Sequence, residues 1–159
     1  MKWDLDKQAD EPTEMVIDGE ISLDLGEGAP EMANIEGLLG IKDLASRVLI
    51  KGKLKASGQA VCSRCLNDFL LQWTVPVEMV ILRSHDHEEE EGSVIVLAQR
   101  RGVADLQPGL RECTLLAYPQ SAVCRADCRG ICVTCGVDLN ETTCDCRPEV
   151  TDPRWDALP

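Results

Sequence analysis

The chain has 159 residues, of which 44% are hydrophobic and 3% aromatic, and its formal net charge at pH 7 is −12. This length suits one domain with a single core, and the apolar fraction argues against a chain that is disordered throughout. The N-terminal residues lack the apolar stretch of an export signal, and no apolar run approaches the roughly 20 residues that span a bilayer. We therefore expect a cytoplasmic protein with no membrane partner.

Charge is distributed unevenly along the chain. Residues 1–45 carry three basic and twelve acidic side chains, whereas residues 46–69 carry five basic side chains and one acidic. The basic stretch surrounds the first cysteine pair. The overall acidity argues against a protein that binds nucleic acid over its whole surface, but it leaves this local patch as a candidate contact.

The first third of the chain predicts one strand and one loop. Over residues 15–25 apolar side chains alternate with acidic and polar ones, which is typical of a half-buried strand. Residues 26–37 are rich in glycine and contain Pro30. That composition predicts a loop.

A second strand is predicted over residues 47–56, and one of its faces is basic. Arg47, Lys51, Lys53 and Lys55 share that face, while apolar residues occupy the other. An ordinary solvated face would explain this pattern, and so would a surface that contacts phosphates in a salt-dependent way. The sequence alone leaves both interpretations open.

Two further strands and a helix are predicted in the second half. Residues 69–81 alternate most clearly, with Pro76 indicating an edge strand or a bulge, and residues 93–98 predict a short strand. From Asp105 the apolar spacing becomes helical, with Asp105 as the expected N-cap and Pro119 ending the helix. The apolar face of this helix consists of Leu106, Leu110, Cys113 and Ala117.

Strands followed by a helix predict an α+β fold. We expect an antiparallel sheet or a partly open barrel with one main helix and a C-terminal cysteine-rich zinc-knuckle segment. No repeat of fixed period and no second core is visible, so residues 1–159 are expected to form a single domain. Within it, we expect residues 1–14 to be flexible, residues 15–119 to form the core, and residues 120–159 to form a zinc-binding extension packed on it.

Nine cysteines are many for a chain without a visible export signal. The odd number and the expected reducing compartment argue against a disulfide framework and favour metal binding. Zinc takes four soft ligands in a tetrahedron, and a Cys-x-x-Cys pair on a tight turn supplies two of them. Gly136 directly follows the pair Cys132 and Cys135, and a positive φ at this glycine would turn backbone N–H groups toward the sulfurs.

Eight of the nine cysteines can be grouped into two sets of four, which would hold two structural zinc ions. The predicted quartets are Cys62, Cys65, Cys124 and Cys128, and Cys132, Cys135, Cys144 and Cys146. The alternative of joining the two Cys-x-x-Cys pairs with each other also fits the spacing and stays open. Cys113 is left over on the apolar helix face, where we expect a small buried hydrophobic residue. The arginines within or beside these motifs, which would offset thiolate charge, are Arg64, Arg125, Arg129 and Arg147.

A redox site and an enzyme are the other functional classes to weigh. Arg64 between Cys62 and Cys65 would lower a thiol pKa and could make the pair a redox dithiol. Such a pair normally opens a helix in a βαβ unit, whereas this one lies between two predicted strands. No hydrolase, nucleotide-binding or metalloprotease motif is present, and a zinc ion with four cysteine ligands has no open position for water. We therefore expect no enzymatic activity.

The chain contains a series of short motifs, which are Cys62-Ser-Arg-Cys65-Leu66, Leu115 to Pro119, Cys128 to Asn140, Cys144-Asp-Cys146 and Asp152 to Leu158. In this order they resemble the YceD family of bacterial and plastid proteins named for accumulation of large-subunit ribosomal RNA. The resemblance extends from about residue 15 to the C-terminus. Ile131 and Val133 depart from it, because the family usually has Leu and Pro there.

The resemblance implies a non-enzymatic role in the accumulation of 23S ribosomal RNA and the large ribosomal subunit. It also supports the first quartet as a separate unit, because some members keep only those positions. The implied partner is ribosomal RNA or a large-subunit precursor, and the acidic remainder would equally suit a basic ribosomal protein. The candidate contact residues are Arg47, Lys51, Lys53, Lys55 and Arg64. A zinc-stabilised protein-interaction module without RNA contact stays an alternative, and the oligomeric state and assembly stage stay open.

Overall fold

The structure is a computed structural model that describes residues 1–4, 12–44, 47–82, 95–98 and 102–146. In chain order its regular elements are β1 (Lys2–Asp4), β2 (Thr13–Ser22), β3 (Met32–Asp43), β4 (Arg47–Val61), β5 (Asp68–Leu82), β6 (Ile95–Ala98), β7 (Val103–Asp105) and α1 (Gln107–Leu116). The expectations for Arg147 and for the segment from Asp152 to Leu158 lie outside the described residues.

Five strands form one sheet in the order β2-β3-β4-β5-β6. β2, β3, β4 and β5 are successive antiparallel neighbours, which confirms the predicted α+β class, and the sheet is not closed into a barrel. β6 pairs with β5 in parallel, so the expectation of antiparallel pairing throughout was wrong at this strand. Residues 83–94 separate these two strands, and a connection of about a dozen residues is long enough for the crossover that parallel pairing needs.

β3 shortens the loop that was predicted over residues 26–37: residues 26–31 are loop as predicted, and the strand begins at Met32. The strand pairs with both β2 and β4, and it buries Ala33 and Ile35 on its inner face. Gly37 weakened the strand pattern in the sequence. In the structure this glycine allows close packing, because a Cβ atom there would lie 3.0 Å from Cδ2 of Leu54 on β4.

The alternation predicted for the strands now called β4 and β5 is confirmed by burial. On β4 the apolar side chains are buried and the lysines are exposed, and on β5 Val75, Val77, Met79 and Ile81 are buried. Pro76 faces solvent, and it lies outside the stretch Met79–Leu82 that pairs with β6, so on that side no described strand requires the N–H that proline lacks. The inner face of the sheet packs against α1. This core includes Ile17, Ile35, Leu39, Ile50, Leu54, Val75, Met79, Ile81, Leu106 and Leu110.

α1 begins one residue later than predicted. Leu106 is its N-cap and Asp105 ends β7, so the prediction of Asp105 as N-cap was wrong. The Asp105 carboxylate nevertheless accepts a hydrogen bond from the backbone N–H of Gln107 at 3.0 Å. Leu110 and Cys113 are buried in the core as expected, and burial raises the pKa of the Cys113 thiol.

β1 and β7 form a separate two-stranded antiparallel ribbon that was not predicted. Strands of three residues are too short to show a pattern in the sequence. The carbonyl oxygen of Met1 accepts a hydrogen bond from the Leu106 N–H at 2.8 Å. Residues 2–4, which belong to the segment expected to be flexible, are therefore tied to the start of α1.

The cysteine-rich segment after α1 has little regular structure. From residue 117 to Cys146 it contains no further helix or extended strand, and an isolated bridge joins Ile131 to Asp138. Its shape therefore depends on turns and side-chain contacts around the cysteines. Among the described residues there is no helix with the length and apolar character that a membrane span requires.

Replacing Gly52 with alanine should destabilise the centre of the sheet. A Cβ atom there would lie 2.7 Å from the carbonyl oxygen of Leu38 and 2.8 Å from Cδ2 of Leu39. We expect the free energy of unfolding, measured by urea denaturation, to fall by about 1–3 kcal/mol. Gly40→Ala is the matched control, because its Cβ would meet only the oxygen of Lys51 at 3.6 Å. Equal losses in the two variants would contradict this account of the packing.

Candidate metal centres

The first cysteine centre lies between the end of β4 and the start of β5. Cys62 and Cys65 occupy the turn that joins these strands, and Cys124 and Cys128 reach the same point from the segment after α1. The four Sγ atoms all lie within 4.8 Å of one another. Three of the four cysteines are buried and form a small hydrophobic cluster separate from the main core. The result is a four-sulfur site largely shielded from water.

The sulfur–sulfur distances in this centre suit a tetrahedral metal ion. Cys62 Sγ lies 3.8 Å from Cys128 Sγ, and Cys65 Sγ lies 3.7 Å from Cys124 Sγ. These distances are far longer than the roughly 2.05 Å of a disulfide, so the cysteines are free. A zinc ion about 2.3 Å from each of four sulfurs would place neighbouring sulfurs about 3.8 Å apart. The residues present therefore fit a four-coordinate divalent ion.

The second centre is formed entirely by the segment after α1. Its ligand set is Cys132, Cys135, Cys144 and Cys146, whose Sγ atoms also lie within 4.8 Å of one another. Cys135 and Cys146 are exposed, so this centre is the more accessible of the two. The structure forms the two quartets preferred from the sequence, and the alternative joining of the two Cys-x-x-Cys pairs is not formed. Cys113 lies in the main core, outside both quartets.

The two Cys-x-x-Cys motifs fold into the same turn. In the first motif the N–H of Leu66 donates to the carbonyl oxygen of Cys62 at 2.9 Å. In the second motif the N–H of Gly136 donates to the carbonyl oxygen of Cys132 at 2.8 Å. The residue after the second cysteine has a positive φ in both turns, 62° at Leu66 and 74° at Gly136. The predicted positive φ of the glycine is thus confirmed. The leucine adopts it at a cost of about 1–2 kcal/mol.

Backbone N–H groups favour a thiolate at Cys62. The N–H of Cys124 points at its sulfur across 3.4 Å. Burial alone would raise the pKa of Cys62, but hydrogen bonds from the N–H groups of Cys65 and Cys124 lower it to about 6. Cys124 behaves oppositely, because burial and the neighbouring thiols raise its pKa to about 12. One thiol of this centre ionises easily while another resists ionisation.

The second centre shows the same contrast. Hydrogen bonds from the backbone N–H groups of Cys135 and Thr134 lower the pKa of Cys132 to about 6. The Cys135 thiol and burial raise the pKa of Cys146 to about 12. Thiolates at this separation repel one another, so all four can ionise together only around a cation. Both clusters could therefore hold a divalent metal ion, whose charge would remove the repulsion.

Gly130 and Arg64 join the two centres. The N–H of Ile131 donates to the carbonyl oxygen of Arg64 at 3.0 Å, and Nη1 of Arg64 donates to the carbonyl oxygen of Cys128 at 3.1 Å. Gly130 has a φ of 75°, and a Cβ atom there would lie 2.9 Å from the same Arg64 oxygen. A glycine is therefore required at this close approach. Arg64, which was predicted as an RNA contact, lies in this junction.

Two polar residues between the centres were not singled out from the sequence. Asp138 accepts hydrogen bonds from the backbone N–H of Asn140 at 2.8 Å and from Nδ2 of Asn67 at 2.8 Å. These hydrogen bonds lower the pKa of Asp138, and the bond from the Asn140 N–H has the largest effect. Nδ2 of Asn140 lies 3.5 Å from Sγ of Cys128 in the other centre. The available signal was an Asp and an Asn two positions apart after the second knuckle, a pattern typical of side chains that bond local backbone.

The basic residues predicted as contacts on β4 lie on the outer face of the sheet. Lys51, Lys53 and Lys55 are exposed and Arg47 is partly buried. Lys55 precedes Cys62 by seven residues, which corresponds to about 23 Å along a strand. The structure therefore does not bring these lysines and the cysteine centres together into one site.

Acidic side chains interrupt this basic face. Lys51 forms an ion pair with Glu78 on β5, and Lys55 lies directly across from Glu36 on β3. The same outer face also carries the exposed acidic residues of β2, which are Glu14, Asp18 and Glu20. The outer face is thus basic along β4 and acidic along β2. Only β3 lies between these two strands, and neighbouring strands are about 4.8 Å apart.

Comparisons with known proteins identify relatives of the chain. A family model described as "Large ribosomal RNA subunit accumulation protein YceD" matches residues 50–159. An uncharacterised protein of Mycobacterium tuberculosis is 31% identical over 125 residues, which are 76% of this chain and 58% of that relative. The chain therefore spans well under two thirds of the length of its mycobacterial relative. No solved structure gives a significant match.

Two chloroplast proteins carry the same description as the family model. Both are named "Large ribosomal RNA subunit accumulation protein YCED homolog 1, chloroplastic". The Zea mays protein is 40% identical over 45 residues, which are 28% of this chain and 15% of that protein. The Arabidopsis thaliana protein is 33% identical over 54 residues, or 34% and 17% of the two chains. The family match begins at residue 50, and so it includes all eight cysteines of the two centres.

Alanine at Gly130 should damage the junction between the centres more than alanine at Gly136. Both glycines have a positive φ, which costs about 1–2 kcal/mol for a residue with a side chain. Gly136 has open space around its Cβ position, whereas Gly130 faces the Arg64 carbonyl. We expect Gly130→Ala to lose at least twice as much free energy of unfolding in chemical denaturation. Similar losses would show that the close approach to Arg64 is unimportant.

Proposed function

This chain belongs to the YceD family, and on that premise we propose that it is a non-enzymatic factor promoting accumulation of 23S ribosomal RNA and the large ribosomal subunit. The observation that carries the proposal is the family match over residues 50–159, which contains both cysteine centres. The names of the maize and Arabidopsis relatives state a role in large-subunit RNA accumulation for those proteins. The proposed compartment is the cytoplasm, in keeping with ribosome assembly and with free thiols.

Zinc is the proposed ion in both centres, four cysteines holding each ion. Thiolate ligands suit zinc, and the sulfur spacing of the first centre matches a zinc tetrahedron. Bound in this way, zinc supplies a structural cross-link, because four cysteine ligands leave no position for a reactive water. The backbone N–H groups of the two knuckles would stabilise the thiolates. The centres would thereby hold the segment after α1 against the end of the sheet where β4 meets β5.

The outer face of β4 is the proposed contact for ribosomal RNA. Lys51, Lys53 and Lys55 project from it, and Arg47 and Arg64 lie near its two ends. The acidic strand β2 is two strands away, about 10 Å, which is close to the Debye length of about 8 Å at physiological salt. Screening would therefore weaken its repulsion of phosphates. The RNA backbone is expected to follow β4 and to avoid β2.

A basic ribosomal protein is a second partner that one observation favours. Glu14, Asp18 and Glu20 lie exposed on the same face of β2, with no basic residue among them. Such an acidic stripe would attract a positively charged protein segment and would repel RNA. RNA would therefore contact β4 and be repelled by β2, whereas a basic protein would contact β2 and be repelled by β4.

Metal analysis should find about two zinc ions per chain in protein purified without chelator. The double variant Cys62→Ser/Cys65→Ser should retain about one, because the quartets share no ligand. Cys113→Ser is the matched control and should retain two, since that thiol lies in the main core. Protein without zinc and with a readily oxidised Cys62–Cys65 pair would instead support a thiol-redox function.

Charge reversal on β4 should abolish association with large-subunit precursors. The triple variant replaces Lys51, Lys53 and Lys55 with Glu. Because all three side chains are exposed, the fold should survive, with a lower stability where the new carboxylates face Glu78 and Glu36. Association is measured by co-sedimentation with the precursor particles, and folding by circular dichroism. For the unmodified protein, a contact with phosphates should weaken as the salt concentration rises and strengthen as it falls.

The matched control reverses charge on the acidic strand of the same face, replacing Glu14, Asp18 and Glu20 with Lys. Loss of co-sedimentation in the β4 variant alone supports RNA contact, whereas loss in the β2 variant alone supports a basic protein partner. Unchanged co-sedimentation of both variants would remove this face as the contact. The role itself is tested separately by depleting the protein and measuring precursor and mature 23S RNA.

A further inference from the structure

Asn140 bridges the two cysteine centres. It belongs to the loop that connects the two halves of the second quartet, yet its Nδ2 reaches Sγ of Cys128 in the first quartet at 3.5 Å. The same nitrogen donates to Oδ1 of Asp138 at 2.6 Å. Sulfur hydrogen bonds are longer than those to oxygen, so this contact is within bonding range. A residue in the loop of the second centre therefore donates to a sulfur of the first.

The surrounding hydrogen bonds determine which way the Asn140 amide points. Its Oδ1 accepts from Nη2 of Arg125 at 2.9 Å and from the backbone N–H of Arg129 at 2.8 Å. Because Arg125 and Arg129 both donate, the amide oxygen must face them. The amide nitrogen must face the two acceptors, Sγ of Cys128 and Oδ1 of Asp138. The orientation that places an N–H on the Cys128 sulfur is thus the one that satisfies every group.

The second centre holds the backbone of Asn140 in place. The N–H of Asn140 donates to Asp138 at 2.8 Å, and the N–H of the intervening Leu139 donates to the carbonyl oxygen of Gly130 at 2.9 Å. Just before this segment, Cys132 N–H donates to the oxygen of Val137 at 2.9 Å. The loop that carries Asn140 therefore starts from the knuckle of the second centre.

We propose that Asn140 is a positioning residue that couples metal binding at the two centres. A metal ion in the second centre would fix the loop and so place the Asn140 amide on Cys128, where the donated N–H stabilises the thiolate of the first centre. Donors to metal-bound ligands typically contribute 10–100-fold in affinity. By linkage, occupation of the first centre strengthens the second by the same factor. This inference goes beyond the proposed role in RNA accumulation and does not depend on it.

The test is a titration of Co²⁺ into the metal-free full-length chain, followed by the sulfur-to-cobalt charge-transfer absorption. The rise in absorption that disappears in the variant Cys62→Ser/Cys65→Ser is assigned to Co²⁺ binding at the first centre. Asn140→Asp keeps the size and the acceptor but replaces the N–H donor with a carboxylate, and Asn140→Ala removes the donor without adding charge. Both variants should bind Co²⁺ at the first centre about 10–100-fold more weakly. The charge-transfer band of that centre should also shift, because its sulfur loses a hydrogen bond.

Two comparisons separate coupling from a general loss of stability. Asn34→Asp makes the same chemical change on the exposed face of β3 and should leave both steps unchanged. In a chain that lacks the second centre through Cys132→Ser/Cys135→Ser, first-centre affinity should already be reduced, and Asn140→Ala should then cause little further loss. An unchanged first-centre step in both Asn140 variants, or an equal loss from Asn140→Ala with and without the second centre, would overturn the proposal.

Discussion

Mutual repulsion among closely spaced sulfur atoms is the constraint on which the cysteine-rich part of this protein depends. Four Sγ atoms lie within 4.8 Å in each centre. In the first centre burial is outweighed by backbone N–H groups, which lower the pKa of Cys62, whereas burial and the neighbouring thiols raise the pKa of Cys124. Such a cluster is held partly protonated unless a cation occupies it. The segment after α1 has little regular structure of its own. It is joined to the turn between β4 and β5 by the first centre, whose ligands come from both parts, and by hydrogen bonds from Ser63 to Ala122 and from Ile131 to Arg64.

The sheet and the centres depend on each other through a few contacts. β4 and β5 form a long antiparallel pair whose connecting turn carries Cys62 and Cys65, and the main core holds that turn at the end of the sheet. Gly130 then brings the second knuckle onto the backbone of the first, and Asn140 reaches from the second centre to a sulfur of the first. The proposed function divides the roles: the centres, with metal bound, would brace the molecule, and the exposed sheet face would contact the partner.

Much of this arrangement could be predicted from local patterns, and the remainder depends on contacts between distant residues. Cysteine spacing predicted the two Cys-x-x-Cys pairs, and alternation predicted the buried faces of β4 and β5, because each is a property of a few consecutive residues. Spacing favoured the two quartets but left open the alternative that joins the two pairs, and the structure decides between them. Glycines interrupt the alternation of apolar residues in β3, so this strand was not predicted. β1 and β7 have three residues each, which is too short to show such an alternation. The pairing of Lys51 with Glu78 depends on strand register, and the contact of Asn140 with Cys128 spans 12 residues of irregular chain. Neither contact leaves a signal in a single sequence.

We propose that each quartet binds one zinc ion through four thiolates and thereby holds the cysteine-rich segment on the sheet. The decisive measurement is X-ray absorption at the zinc edge of the purified full-length protein. We expect a single shell of four sulfur neighbours at about 2.3 Å and no nitrogen or oxygen ligand. A first shell that contains oxygen or nitrogen, or fewer than four sulfurs per zinc ion, would contradict it.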